Sequence, residues 1–195
     1  MQKKTTIIFD CFGVICAETV RPWMLKNLGD WESIKDYFHE LAVRFDLNQA
    51  GEEDIAKEFA ERSGKTPDVV QSEIDEFFLL NLPLIDYMEE LKKKGYKIGL
   101  ISNGHHDSFE RKIFAGHPTL KSIFDHMTIS SQVGMLKPDP EIYRHALENL
   151  GSTPEESVFI DDNERNTVGA EAISMTGVLF TDLSKLKEDL QNLGI

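Results

Sequence analysis

Four polar groups in this 195-residue chain follow apolar, strand-like runs, and together they could break a phosphate ester. Asp10 ends the run Thr5-Thr6-Ile7-Ile8-Phe9. Ser102-Asn103-Gly104 ends Tyr96–Ile101. Lys137 lies in the loop after His126–Ile129, and Asp161-Asp162-Asn163 ends Ser157–Ile160. Each has an ordinary reading alone: Asp10 and Ser102-Asn103-Gly104 as turns, Lys137 as a solvated loop lysine, Asp161–Asn163 as a helix N-cap. Four at one sheet edge make a set. Phosphate-ester hydrolysis needs a catalyst to supply up to roughly 20 kcal/mol or more. A carboxylate nucleophile splits the reaction through an aspartyl-phosphate. Carboxylates holding Mg²⁺ relieve the repulsion between two anions. A hydroxyl or amide and a lysine hold the phosphoryl oxygens as charge develops.

These residues share an edge only if the elements before them form one parallel sheet. After Pro83 the pattern alternates: helix Leu84–Lys94 stopping at Gly95, strand Tyr96–Ile101, helix Asp107–Ala115, strand His126–Ile129, helix Pro138–Leu150. Then come strand Ser157–Ile160, helix Glu164–Ser174, strand Val178–Phe180 and helix Leu183–Leu193. Such alternation means βαβ units and a parallel sheet, with ligands at the carboxyl ends of its strands. The first strand is separated from the rest by helical patterning from about Ala17 to Asn81. Ile34, Phe38, Leu41 and Phe45 recur at helical spacing. Thr66-Pro67 reads as a capping hydroxyl followed by Pro in the first turn, and Val70, Ile74, Phe77 and Phe78 as a buried stripe. The expected fold is α/β, a parallel Rossmann-like sheet flanked by helices: a core of residues 1–16 and 82–195, and an all-helical cap over 17–81.

Composition narrows the function. Hydrophobic residues make up 41% and charged residues 28% of the chain, ordinary for a globular protein. A net charge of −13 argues against nucleic acid and anionic membranes as partners, and no apolar run is long enough to span a bilayer. Ile7–Phe9 is too short for a signal peptide. Cys11 and Cys16 are too close for a disulfide framework, so the expected compartment is the reducing cytoplasm. A phosphate site in so acidic a chain must rely on local cations. The sequence is silent on oligomeric state.

The motifs resemble those of the haloacid dehalogenase-like hydrolase superfamily. Phe9-Asp10-Cys11-Phe12-Gly13-Val14-Ile15 is similar to its first motif, Leu100-Ile101-Ser102-Asn103-Gly104 to its second, Gly134–Tyr143 around Lys137-Pro138 to its third, and Val158–Asn166 to its fourth. The resemblance spans the chain and points to the phosphatase-like branch, with a helical cap after the first motif. It implies Asp10 as nucleophile, Ser102 and Asn103 as substrate-binding groups, and Lys137 as the cation steadying nucleophile and phosphate. It implies Mg²⁺ held by Asp10, the Phe12 backbone carbonyl, Asp161 and Asp162, with Asp162 the more direct ligand, and Asn166 in support. The substrate would be a small phosphorylated molecule.

One position departs from the pattern. Phosphatases of the family usually carry a second aspartate two residues after the nucleophile as general acid and base; here it is Phe12. Such catalysis is typically worth about 10²–10⁴ in rate. Phe12 therefore predicts a weakened or selective phosphatase that favours good leaving groups. Two other readings stay open: a 2-haloacid dehalogenase, which has an aromatic residue at this position but lacks the acidic pair, and a non-catalytic phosphate- or metal-binding pseudophosphatase. Among neighbouring residues, His105 and His106 are expected to be solvated and Cys11 to pack. Arg21 and Trp23 are candidates to face the site. Lys92-Lys93-Lys94 is expected to match the dipole at a helix C-terminus.

Overall fold

A computed structural model describes residues 3–195. The chain runs β1 (Thr6–Phe9), α1 (Val20–Asn27), α2 (Trp31–Asp46), α3 (Glu52–Ser63), α4 (Pro67–Asp75), α5 (Leu82–Lys93) and β2 (Lys97–Ser102). Then come α6 (His106–Ser108), which continues into a π-helical stretch Phe109–Phe114, β3 (His126–Ile129), α7 (Ser130–Val133) and α8 (Pro140–Leu150). Last are β4 (Ser157–Asp161), α9 (Glu164–Glu171), β5 (Thr176–Leu179) and α10 (Leu183–Asn192). The strands form one parallel sheet in the order β3-β2-β1-β4-β5. The expected α/β class and Rossmann-like sheet are what the chain forms.

Strand order reverses between β1 and β4, the crevice where such sheets bind ligands. Register does the rest. Phe9 lies opposite both Leu100 and Ile160. The next residue, Asp10, donates its amide to the Ile160 carbonyl at 2.8 Å, so Asp10 and Asp161 leave the sheet side by side.

Alternation along β1 divides the core. Ile7 and Phe9 pack on one face with Leu84, Met88, Leu91, Ile98 and Leu100, while Ile8 packs on the other with Ile142, Tyr143, Ala146 and Phe159. Helices α1–α4 have a cluster of their own, in which Trp23 stacks on Phe59 at 4.8 Å and Trp23 Nε1 donates to Glu73 at 2.8 Å. The two connections of this helical segment run together: the Ala17 amide donates to Leu79 and the Asn81 amide to Ile15, each at 2.9 Å.

Several boundaries differ from expectation for local reasons. Helix α8 starts at Pro140, two residues late, because the Asp139 side chain accepts from the Glu141 amide and caps it. Helix α9 ends three residues early, and Ser174 turns out of it at φ +74°. Thr66 makes no side-chain capping bond before α4. Lys92 and Lys93 do lie in the last turn of α5, as expected, and Lys92 also makes specific contacts. It donates to the Ile123 carbonyl at 2.7 Å and pairs with Asp125 at 3.1 Å, tying α5 to the approach to β3.

Candidate active site

At the crevice, the Lys137 ammonium sits 2.7 Å from Asp10 Oδ1 and 2.7 Å from Asp161 Oδ2, with all three side chains buried. Burial alone would lower the lysine's pKa, but the two carboxylates outweigh it and hold the ammonium charged. The Asp10 carboxyl is raised by burial and by Asp161, while Lys137 and the Cys11 amide, which donates to Oδ1 at 2.6 Å, pull it back.

Each partner is fixed in turn. Asn103 clasps the backbone of Lys137: its Oδ1 accepts the Lys137 amide at 2.8 Å and its Nδ2 donates to the Lys137 carbonyl at 3.1 Å. Asn166 Nδ2 donates to both oxygens of Asp161, at 3.0 and 3.1 Å, and the Asn163 amide donates to Asp161 Oδ1 at 2.8 Å. The Tyr143 hydroxyl donates to the Asn166 carbonyl at 2.8 Å. Asp162 reaches solvent, and its carboxyl is raised to about 6 by desolvation and then by Asp161 and Glu18.

Asp10, Asp161 and Asp162 each offer an oxygen within 4.8 Å of the others. The donor set is all carboxylate, suited to a hard cation such as Mg²⁺. Local charge agrees. Three carboxylates face one lysine, and Asp161 and Glu18 add to the desolvation that raises Asp162. Both oxygens of Asp161 are already engaged by Asn166, Asn163 and Lys137, which leaves Asp162 the freer of the two to hold a cation.

A cavity of about 830 Å³ opens over this cluster. Its floor includes Asp10, Phe12, Asn103, Lys137, Asp162 and Asn166, and much of the rest of its wall comes from the helical segment, including Arg21, Phe38, Leu41, Phe45, Asp46 and Ile74. The size suits a small organic ligand.

Expectation and structure part at several residues. Ser102 ends β2 fully buried, its hydroxyl 3.3 Å from the Asn103 carbonyl, and it is not part of the cavity wall. Asn103 reaches the cavity, but both ends of its amide hold Lys137 and not a ligand. His105 is buried, not solvated: its ring stacks on Phe45 at 5.0 Å and its Nε2 lies 2.8 Å from Asn48 Oδ1. The His105 and His106 rings stack at 4.8 Å, 26° from parallel, and Asp107 lies beside both, 3.7 Å from His105 Nδ1 and 3.1 Å from His106 Nε2. Arg21 lines the cavity with its guanidinium 4.2 Å over Trp31, whereas Trp23 is sealed in the helical core. The Cys11 thiol packs 3.6 Å from Cys16 Sγ, and burial pushes its pKa well up. The Phe12 ring meets Phe109 edge-on at 5.8 Å. Sequence reasoning missed Asp46. The signal available was its place at the end of an amphipathic helix, where a carboxylate opposes the dipole.

Comparison with known proteins places these residues in context. The sequence model described as haloacid dehalogenase-like hydrolase matches residues 4–173. Bifunctional epoxide hydrolase 2 of Rattus norvegicus is 34% identical over 116 residues, covering 58% of this chain and 21% of the rat protein, so the chain spans only a fifth of that relative. A sesquiterpene phosphatase of Aspergillus oryzae is 27% identical over 194 residues, covering 90% of this chain and 89% of that protein. A HAD family enzyme from Bacteroides thetaiotaomicron, in its magnesium complex, shares the fold at TM-score 0.76 and 21% identity, covering 95% of this chain and 99% of that one.

Proposed function

Because the chain belongs to the haloacid dehalogenase-like hydrolases, we propose that it hydrolyses small phosphate monoesters through an aspartyl-phosphate on Asp10, with Mg²⁺ as cofactor. The observation that carries this reading is the buried Lys137 ammonium bridging Asp10 and Asp161, with Asp162 beside them. Asp10, the Phe12 carbonyl and Asp162 would hold the cation, supported by Asp161. When bound, Mg²⁺ neutralises charge so that a phosphate can approach a carboxylate.

The chain's own residues do the rest. Lys137 orients Asp10, opposes the rise that burial imposes on its carboxyl, and offers its charge to the phosphoryl oxygens. Asn103 holds the lysine loop in place, and Ser102 supplies a hydroxyl once it turns toward the phosphate. The helical segment over residues 17–81 acts as a cap. It encloses the substrate's organic part against Phe38, Leu41 and Phe45 and excludes water while the acyl-phosphate forms. The apolar part of that roof, Phe38, Leu41 and Phe45, favours a substrate with a hydrocarbon-rich leaving group, in keeping with the name of the fungal relative.

Phe12 favours a second reading, halide displacement. That reaction needs no metal, and an acidic trio disfavours a departing halide. The assay is direct: purified protein with an aryl phosphate and with a 2-haloacid, each with Mg²⁺ and with chelator. Mg²⁺-dependent phosphate release, lost in Asp10→Asn, is the expected result. Metal-independent halide release would overturn the proposal, and phosphate binding without turnover would point to a pseudophosphatase.

A further inference from the structure

Phe12 cannot move a proton, so a phosphatase built on Asp10 needs its acid from elsewhere. Of the acids lining the cavity, Glu52 is engaged by the Ser108 hydroxyl and by Arg111 and Lys112. Glu18 and Glu164 are solvent-exposed, and Asp162 belongs to the acidic trio. Asp46 is different. It is the last residue of α2, on the same helical face as Phe38 and Ala42, and all three line the cavity. Its carboxylate has no hydrogen-bond or ion-pair partner among the described residues, and it stands at the negative end of the helix dipole, which favours the protonated form.

The end of α2 is pinned to the catalytic edge of the sheet. The Asp46 carbonyl accepts from the Ser130 hydroxyl at 2.7 Å, and that oxygen accepts the Gly104 amide at 3.0 Å, directly after Asn103. Phe45 and Asn48, on either side, hold His105.

Resting on the phosphatase reading above, we propose that Asp46, supplied by the helical cap, is the general acid and base of this site in place of an aspartate at position 12. Asp10 attacks phosphorus, the bond from phosphorus to the leaving oxygen breaks, and its electron pair takes the proton of the Asp46 carboxyl. Water then gives a proton to the Asp46 carboxylate and its oxygen attacks the acyl-phosphate. The bond from phosphorus to Asp10 breaks, inorganic phosphate leaves, and both carboxyls return to their starting states. Desolvation raises the Asp46 carboxyl to about 7, with Lys137 as the only opposing influence, so acid and base forms are both populated near neutrality. With Asp46 in this role, the sequence-based preference for good leaving groups no longer holds for the native enzyme; it belongs to the enzyme without Asp46.

The test is Asp46→Asn, compared with the native protein in Mg²⁺ on 4-nitrophenyl phosphate and on a primary alkyl phosphate. The expected result is a loss in kcat/KM of about 10²–10⁴ on the alkyl ester, and less than about tenfold on the nitrophenyl ester, whose leaving group needs no proton. The variant should also accumulate an Asp10-phosphate adduct, visible in the intact mass, because its second step lacks a base. Equal losses on both esters, or none, would overturn the assignment. A native protein that releases phosphate from neither ester would sink the phosphatase reading itself, and this assignment with it.

Discussion

Lys137 shows how much one side chain can hold together. It is the ammonium that two buried carboxylates share, each at 2.7 Å. Lys137→Met would leave Asp10 and Asp161 facing each other without a counter-charge. Breaking a buried pair from one side costs about 3–5 kcal/mol, and the remaining carboxylates would share a proton that blocks attack by Asp10. Urea denaturation at pH 8 should show a loss of that size, alongside loss of phosphatase turnover. A variant as stable as the native protein would mean the lysine is not the counter-charge. Lys137 was legible in the sequence because it follows a strand that ends at the same edge as Asp10. Asp46 was not: it is remote from every motif and reaches the site only through tertiary packing. Ser102 was legible by position but not by rotamer, since sequence does not say which way a buried hydroxyl turns.

Turns set the alignment of elements, and Gly13 is the one that matters most for the site. It holds φ +87°, and a Cβ there would overlap the Asp162 carboxylate. Gly13→Ala should therefore displace Asp162 and strain the backbone at a cost of about 1–3 kcal/mol. The half-saturating Mg²⁺ concentration for activity should rise about 10–100-fold, the usual price of disturbing a ligand's support. A variant that melts lower but keeps its metal dependence would show that Asp162 is not a ligand. Strand and helix alternation was readable because β1 to β5 are β-branched and apolar with clear stops. The π-helical stretch Phe109–Phe114 was not, because its apolar spacing reads as an ordinary helix. The late start of α8 depends on a single capping carboxylate, Asp139.

At the scale of the whole molecule, the acidic chain gathers its raised carboxyls around one cavity. Asp10 is raised, Asp46 to about 7 and Asp162 to about 6, each chiefly by desolvation. All three titrate near 4 when unfolded. A folded-state pKa above the unfolded one means that the native protein binds more protons through this window, so its contribution to stability is complete below about pH 4 and is lost as pH rises toward 7. Without divalent cation, the site should thus weaken the fold between pH 5 and pH 8. If Asp10 and Asp162 hold Mg²⁺ as proposed, the cation competes with those protons, and a ligand that binds only the native state stabilises by mass action. The stabilisation by millimolar Mg²⁺, read as a shift in melting temperature, should be larger at pH 8 than at pH 5, and Asp162→Asn should shrink it while Asp46→Asn leaves most of it. A metal shift equal at both pH values, or one abolished by Asp46→Asn, would mean that the cation binds somewhere other than the Asp10, Asp161 and Asp162 cluster.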